Sequence, residues 1–313
     1  MVRGMSRLLT LALVLAACSS PPESTLPDAN GSDAGNDAAS TASPDASVGT
    51  ITIGPSARPA RLVAPASPIT TPAPLLVLLH GYGATAAVED TYLGVTRAAA
   101  SRGLYVLLPD GTLDASGMRY WQGTPGCCDF AHSGIDDVAY LRGLVHEAIA
   151  DRPIDPARVY FFGHSNGGFM TYRLACELAS ETAAVAVLAG SDFPGDTDCV
   201  PSRAVSLIHV HGTADATIPY AGGNVGLGAF PGATTVVARW ASRAHCGATP
   251  TMGTPIDMES TLAGAETTPT SYTGCDPGLD VRLLTITGAS HIPTFAPNVI
   301  GTEVLDWLLM HHL

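Results

Sequence analysis

The residues best suited to chemistry lie in the pentapeptide Gly163-His164-Ser165-Asn166-Gly167. An apolar run from Val159 to Phe162 leads into it, and a stretch with helical character follows from Gly168 to Leu178. A strand that turns sharply into a helix strains the backbone of its turn residue, and glycines on both sides make room for that turn. The turn exposes the serine hydroxyl, and free N–H groups at the start of the helix point toward it. The pattern predicts Ser165 as a nucleophile.

A nucleophilic serine needs a base and an acid, and the chain offers both further along. Asp215 ends the turn after an apolar stretch that begins at Ser206, and His291 lies in the loop after the apolar stretch that begins at Val281. Both follow the C-terminal end of a predicted strand, where open parallel sheets build their sites. His291 would take the proton of Ser165, and Asp215 would fix the imidazole tautomer and stabilise its cationic form.

A place for an oxyanion is predicted after the apolar run from Pro74 to Leu79, which ends in His80-Gly81-Tyr82-Gly83. An unbroken apolar run fits a strand buried on both faces of a parallel sheet. The loop after such a strand supplies one backbone N–H of the oxyanion hole, and the residue after the nucleophile supplies the other. These residues are Tyr82 and Asn166. The alternative is a glycine-rich turn that only closes the strand.

Strand and helix signals alternate along the chain, which predicts a mainly parallel central sheet with helices on both faces. The predicted strands are Leu75–Leu79, Leu104–Leu108, Val159–Phe162, Val185–Leu188, Ser206–His209 and Val281–Thr285. The predicted helices are Ala87–Ser101, Asp136–Ile149, Gly168–Leu178, Thr234–Arg243 and Val299–Met310.

Two irregular stretches, residues 110–134 and 219–233, leave C-terminal strand ends and are expected to border the site. Aromatic residues of the first could line a pocket for an acyl or aromatic group, or could instead pack beneath a loop: Tyr120, Trp121 and Phe130. The second stretch is rich in glycine and could act as a flap. His164, next to the nucleophile, could also line the site. Substrate contact is therefore predicted for Tyr120, Trp121 and His164.

Composition and charge exclude several other classes of function. The formal charge of −13 opposes nucleic-acid binding, which requires a basic surface. All fifteen basic residues are arginine, which excludes Schiff-base chemistry by lysine and a P-loop lysine. His209 and His211 share one face of a predicted strand, but a metal site needs a third ligand and nothing nearby supplies it. We expect no metal and no cofactor.

The N-terminus predicts export. Arg3 and Arg7 flank the start of an apolar stretch, Leu8 to Ala17, that is too short to span a bilayer. Leu15-Ala16-Ala17-Cys18 resembles the bacterial lipobox, which implies a signal peptide over residues 1–18 and lipidation of Cys18. Ordinary cleavage beside an incidental cysteine is the alternative. The product would be lipid-anchored at the outer membrane or cell surface, or extracellular, and would touch the membrane through its lipid alone.

Residues 19–49 are poor in large apolar side chains and predict a disordered linker, and residues 50–313 predict the folded domain. Six cysteines follow Cys18, and an even number in an exported chain suggests three disulfides, with fifteen possible connectivities. We expect Cys176–Cys199 and Cys246–Cys275, which leaves Cys127–Cys128 as the simplest third pair.

From about Ile51 onward the chain resembles the polyhydroxybutyrate depolymerase-like esterases, a group that merges into the feruloyl and acetylxylan esterases. The resemblance is carried by Leu75 to Gly83, Arg119-Tyr120-Trp121 with Cys127-Cys128, Ile135 to Arg142, Arg158 to Gly168, and His211 to Asp215 with Pro219-Tyr220 and Gly222-Gly223. It implies an α/β-hydrolase fold, secretion, and ester hydrolysis through Ser165, Asp215 and His291, in the order along the chain that this fold uses.

The chain departs from this family after its histidine. The family often has Gly-x-Gly-His-x-Trp-Pro there, whereas this chain has Gly288-Ala289-Ser290-His291-Ile292-Pro293 and no tryptophan. The substrate therefore stays open between phenolic or acetyl esters of plant polysaccharide and short-chain hydroxyalkanoate esters. The alternatives in other classes are a non-catalytic surface lipoprotein that binds polymer and a serine peptidase of the same fold. We expect a monomer.

Overall fold

The structure is a computed structural model that describes residues 49–313. The predictions for residues 1–48, which comprise the signal peptide, lipidation at Cys18 and nearly all of the linker, lie outside these described residues. The strands are β1 (Thr50–Ile53), β2 (Ala60–Val63), β3 (Ala73–Leu79), β4 (Tyr105–Leu108), β5 (Thr112–Leu113), β6 (Arg119–Tyr120), β7 (Ile154–His164), β8 (Ala184–Leu188), β9 (Ser206–Gly212), β10 (Gly222–Asn224), β11 (Ala229–Pro231), β12 (Thr251–Met252), β13 (Thr267–Tyr272) and β14 (Val281–Ile286).

One large sheet runs through the described part of the chain in the order β1-β2-β4-β3-β7-β8-β9-β14-β13-β12. Its six central strands, β4 to β14 in that order, are parallel, and the strands outside them pair antiparallel. The six predicted strands are these central ones. They were recognisable because strands covered on both faces are apolar throughout, as β3, β8 and β9 are buried at every position.

The helices are α1 (Ala86–Leu93), α2 (Val95–Ala100), α3 (Asp137–Asp151), α4 (Asn166–Glu177), α5 (Ala233–Arg243) and α6 (Asp306–Leu308), with a π-helical segment at Ile300–Leu305. Helices α3, α4 and α5 pack on one face of the sheet, and α1, α2 and the C-terminal helical segment pack on the other. This is the predicted α/β-hydrolase arrangement, and that prediction is confirmed.

Two predicted helices are interrupted. The helix predicted over 87–101 breaks at Gly94, whose φ of 64° ends α1 in the left-handed region that glycine adopts without penalty. The carboxylate of Asp90 then accepts the N–H and hydroxyl of Thr96, both at 2.7 Å, and so begins α2. The helix predicted over 299–310 is a π-helical segment followed by the short α6.

The irregular stretches contain structure that the sequence did not predict. Residues 110–134 hold the ribbon β5–β6, and residues 219–233 hold the ribbon β10–β11.

Within the described range, no helix combines the length and the apolar character needed to cross a membrane.

Candidate active site

Ser165 lies at the turn between β7 and α4. Its φ of 55° and ψ of −120° are strained for a residue with a side chain. A Cβ on Gly163 would lie 2.0 Å from the carbonyl oxygen of Gly167, and a Cβ on Gly167 would lie 2.1 Å from the carbonyl oxygen of Leu79. Both flanking positions therefore require glycine, and the turn has the form that the pentapeptide predicted.

The three predicted triad residues meet at the C-terminal edge of the sheet. Nε2 of His291 lies 2.9 Å from Oγ of Ser165, and Nδ1 of His291 lies 2.7 Å from Oδ2 of Asp215. Ser165 follows β7, Asp215 follows β9 and His291 follows β14. In this geometry the imidazole can accept the serine proton at Nε2 while its Nδ1–H is held by the carboxylate.

Asp215 is held as an anion. Its Oδ1 accepts the backbone N–H groups of Thr217 and Ile218, both at 2.8 Å. Burial alone would raise the pKa of this carboxyl, but hydrogen bonds from His211 and His291 outweigh burial and place the pKa well below its usual range. The carboxylate therefore stays charged at neutral pH and can stabilise an imidazolium on His291.

The loop after β3 borders the nucleophile. A Cβ on Gly81 would lie 3.3 Å from Cβ of Ser165, so this loop passes directly beside the serine. The backbone N–H groups of Tyr82 and Asn166 donate to no protein acceptor within the described residues. Both predicted oxyanion donors are thus available to a ligand.

Two buried groups fix the position of this loop. Nε2 of His80 accepts the N–H of Gly111 at 2.9 Å, and Oε2 of Glu89 accepts the N–H of Gly81 at 3.1 Å. Burial is the largest influence on His80 and lowers its pKa, so the ring is neutral and can accept that bond. Glu89 was not singled out in the sequence, because one acidic residue in a helix ordinarily faces solvent.

Trp121 lies under the site and not on an open wall of it. Its side chain is fully buried, and its Nε1–H donates to the carbonyl oxygen of His80 at 3.1 Å. Its backbone N–H and carbonyl bond the side-chain amide of Asn166 at 2.7 and 3.0 Å. Trp121 therefore connects the turn of Ser165 to the loop after β3, called the oxyanion loop below because it contains the predicted donor Tyr82. Tyr120 is likewise buried, and the burial of both residues favours the alternative that they pack beneath the loop.

His164 is also buried and supports the base. Its Nε2 lies 3.2 Å from the carbonyl oxygen of His291, and its Nδ1 lies 3.1 Å from Oε1 of Glu89. The ring lies between the loop of His291 and helix α1. The structure thus gives His164 a contact with the loop of His291, and its contact with substrate stays a prediction.

An apolar cluster adjoins the catalytic residues. Phe169 follows Ser165 by one helical turn, Ile218 follows Asp215 by three residues, and both pack with Phe230 and with the bonded pair Cys127–Cys128. Tyr82 packs at the border of this cluster, and its ring meets that of the exposed Phe130 edge to face at 5.6 Å. The cluster itself is buried, and Tyr82 and Phe130 form an accessible aromatic pair at its border.

The structure brings together the sulfur atoms of all three predicted pairs. Cys176–Cys199 joins the C-terminal end of α4 to the loop after β8, and Cys246–Cys275 closes the excursion that contains β12 and β13. Cys127 and Cys128 bond to each other within the first irregular stretch.

Comparison with known proteins places this site in a family. Residues 62–226 match the model of the family described as phospholipase/carboxylesterase. The chain belongs to that family. It is 30% identical over 227 residues to feruloyl esterase B of Piromyces equi, which covers 70% of this chain and 39% of that protein. It is 27% identical over 227 residues to the putative esterase NocK of Nocardia uniformis, which covers 70% of this chain and 64% of that protein. The chain thus spans less than two thirds of the length of either relative.

The fold comparison agrees with the family. An acetyl xylan esterase from Aspergillus awamori superposes with a TM-score of 0.57 at 14% identity, over 84% of this chain and 99% of that one. At this identity the likeness establishes the α/β-hydrolase fold.

Proposed function

We propose that this protein is an exported serine esterase that hydrolyses carboxylic esters through an acyl-enzyme. The observation that supports the proposal is the unbroken hydrogen-bonded row from Asp215 through His291 to the strained Ser165. Membership of the phospholipase/carboxylesterase family supports the same reaction class.

In the proposed acylation step, Oγ of Ser165 attacks the ester carbonyl carbon while Nε2 of His291 takes the hydroxyl proton. The carbonyl oxygen becomes an oxyanion that receives the N–H groups of Tyr82 and Asn166. Collapse of this intermediate breaks the bond to the leaving alcohol, which receives the proton from His291. In deacylation a water molecule attacks the acyl-enzyme, gives its proton to His291, and releases the acid as Ser165 regains its proton.

As substrates we propose phenolic or acetyl esters attached to plant polysaccharide. The accessible aromatic pair Tyr82 and Phe130, beside the loop after β3, suits a planar aromatic acyl group. The names of two relatives, feruloyl esterase B and a bifunctional acetylxylan esterase/xylanase from Neocallimastix patriciarum, point the same way. A comparison of kcat/KM on methyl ferulate and on hydroxybutyrate oligomers tests this choice, and faster cleavage of the oligomers would reverse it.

The nucleophile is tested with Ser165→Ala and the matched control Ser101→Ala, which alters an exposed serine at the end of α2. Ser165→Ala should lower kcat on p-nitrophenyl acetate by on the order of 10⁶ and abolish labelling by a fluorophosphonate, because both need the attacking oxygen. The control should retain both. Unchanged turnover in Ser165→Ala would refute the mechanism, and an inert wild-type protein would favour the polymer-binding lipoprotein.

Export and anchoring are part of the proposal. Three disulfides are typical of proteins that fold in an oxidising compartment. Lipidation at Cys18 is tested by metabolic labelling with a palmitate analogue in wild type and Cys18→Ser. Label in the wild type alone supports the anchor, and equal or absent label in both contradicts it.

A further inference from the structure

A row of buried polar side chains continues behind the catalytic carboxylate. The hydroxyl of Tyr172 lies 2.6 Å from Nδ1 of His209, and Nε2 of His209 lies 3.0 Å from Nδ1 of His211. Nε2 of His211 lies 2.8 Å from the carbonyl oxygen of Ile218 and 3.3 Å from Oδ2 of Asp215. Tyr172, His209 and His211 are at most 1% exposed, so no solvent shares these contacts.

The end of the row at Asp215 determines where one proton lies. A backbone carbonyl and a carboxylate oxygen are acceptors only, and both face Nε2 of His211. That nitrogen must therefore carry a proton. A neutral His211 then has a lone pair at Nδ1, and His209 donates to it from Nε2. His209 in turn presents its Nδ1 lone pair to Tyr172.

The other end of the row, at Tyr172, favours the same arrangement. If Nδ1 of His211 carried a second proton, His209 would have to donate from Nδ1 to Tyr172, whose own proton would need another acceptor. Within the described residues His209 is the sole hydrogen-bond partner of the Tyr172 hydroxyl. Burial raises the pKa of Tyr172 and lowers that of His209, so both are neutral at physiological pH.

Neighbouring groups offer no competing partner. The ring of Tyr220 lies edge-on to His211, but its hydroxyl bonds Oγ1 of Thr285 at 2.8 Å. The carboxylate of Asp192, on the far side of Tyr172, is bonded by Nε1 of Trp240 and by Arg243. The direction of the row is thus set by its own members.

We propose that the acceptors facing Nε2 of His211 and the hydroxyl of Tyr172 together fix the direction and the neutral state of a buried hydrogen-bond chain through His209 and His211, which presents a neutral donor to Asp215. A neutral donor orients Oδ2 toward His291, 2.7 Å away, and leaves the negative charge available to the imidazolium that forms during turnover. Tyr172, His209 and His211 are positioning residues in the esterase reaction, so the kinetic part of this inference rests on the proposed function.

The test uses Tyr172→Phe, which removes the terminal donor and keeps the ring. The matched control is Tyr160→Phe, which alters another fully buried tyrosine, on strand β7, whose hydroxyl donates to the carbonyl of His311 at 2.7 Å. Nitrogen-15 NMR of histidine-labelled protein reports the tautomer of each ring, assigned with His209→Gln and His211→Gln. Wild type and Tyr160→Phe should show both rings protonated at Nε2 alone. In Tyr172→Phe, where Nδ1 of His209 has lost its donor, His211 should gain a second proton at Nδ1 and His209 should be protonated at Nδ1 instead of Nε2.

Kinetics provide the second measurement. Tyr172→Phe should lower kcat about tenfold with KM nearly unchanged, because the acyl pocket is intact, and Tyr160→Phe should keep the wild-type kcat. His211→Leu should lower kcat about a hundredfold, and His211→Gln should recover most of it because its amide can still donate toward Ile218 and Asp215. Nδ1 protonation of either ring in the wild type, or a kcat in Tyr172→Phe equal to that of Tyr160→Phe, would overturn the inference. The tautomers are measured without turnover, so failure of the esterase proposal is distinguished from failure of this one.

Discussion

At the scale of single residues, surroundings give chemically identical side chains different tasks. His291, at the surface of the site, bonds both Ser165 and Asp215. His80 follows a neighbouring strand, but it is buried and its two ring nitrogens bond the carbonyl of Gly81 and the N–H of Gly111. His164 is next to the nucleophile and supports the backbone of His291. The role of each histidine follows from what its ring nitrogens bond, and the residue type alone does not determine it.

Trp121 offers a test of how closely the oxyanion loop must be held. Trp121→Phe keeps an aromatic ring at this position but removes the pyrrole part of the indole, including the Nε1–H that bonds the carbonyl of His80 at 3.1 Å. Loss of one buried hydrogen bond costs about 1–1.5 kcal/mol. We expect kcat to fall about tenfold, because the Tyr82 N–H would no longer be aligned in the transition state, with little change in KM.

The control is Trp307→Phe, which removes a similar bond from Nε1 to Oδ2 of Asp280 at 2.8 Å on helix α6. It should lower stability by a similar amount and leave kcat unchanged. Steady-state kinetics and urea unfolding on both variants make the comparison. If Trp121→Phe loses stability but keeps its kcat, then Trp121 is a core residue without influence on the oxyanion loop.

At the scale of elements, the sequence predicted the strands whose burial on both faces gives them an apolar pattern. It did not predict the strands that depend on pairing with a neighbour. The parallel strands are apolar throughout because both of their faces are covered, and the pattern is visible in any run such as Leu75 to Leu79. The edge strands β12 and β13 are short, half-exposed and rich in Thr, and β13 contains Pro269, so their local pattern resembles a loop. β13 is a strand because it pairs with β14, and β12 because it pairs with β13.

The candidate site divides in the same way. The triad was predictable because each member follows a strongly apolar strand, and the fold brings the ends of such strands to one edge. The contacts that support the triad could not be predicted, because they depend on the direction in which a side chain leaves its loop or helix. These are the contacts of Glu89, His164 and Trp121. Sequence spacing carries no information on that direction in an irregular stretch such as 110–134.

The excursion closed by Cys246–Cys275 holds the segment after His291. Oε1 of Glu259, within this excursion, accepts the N–H of Thr294 at 2.9 Å, and the N–H of Ala296 donates to the carbonyl of Met258 at 2.8 Å. The double variant Cys246→Ala/Cys275→Ala should lose about 3 kcal/mol of unfolding free energy. It should also lose activity at a lower urea concentration than it loses tryptophan fluorescence, because the loop of His291 loosens before the sheet unfolds.

The double variant Cys176→Ala/Cys199→Ala provides the comparison. That bridge lies at the far end of α4 from Ser165, so its removal should lower stability while activity and fluorescence are lost together. Coincident curves in the Cys246→Ala/Cys275→Ala variant would contradict a role for the excursion in holding the base.

At the scale of the whole molecule, buried neutral histidines couple folding to pH. Burial is the largest influence on His80, His209 and His311, and it lowers the pKa of each from the ordinary value of 6.5. The unfolded chain therefore binds protons that the folded chain excludes once the pH falls below about 6.5. The stability that these residues contribute is present above that pH and is lost as the pH falls. Asp192 acts in the opposite sense, because burial raises the pKa of its carboxyl and protonation then favours the folded state.

Because these effects overlap, a matched pair of variants isolates one histidine. His311 is buried, with Nδ1 bonded to the carbonyl of Trp307 at 2.9 Å, and its neighbour His312 is exposed. Between pH 7.5 and 5.5 the wild type should lose unfolding free energy, and His311→Gln should lose about 1 kcal/mol less, since one bound proton corresponds to about 1.4 kcal/mol per pH unit. His312→Gln should follow the wild type. Urea unfolding at the two pH values measures all three proteins, and equal losses in the two variants would show that His311 is protonated as readily in the folded chain as in the unfolded one.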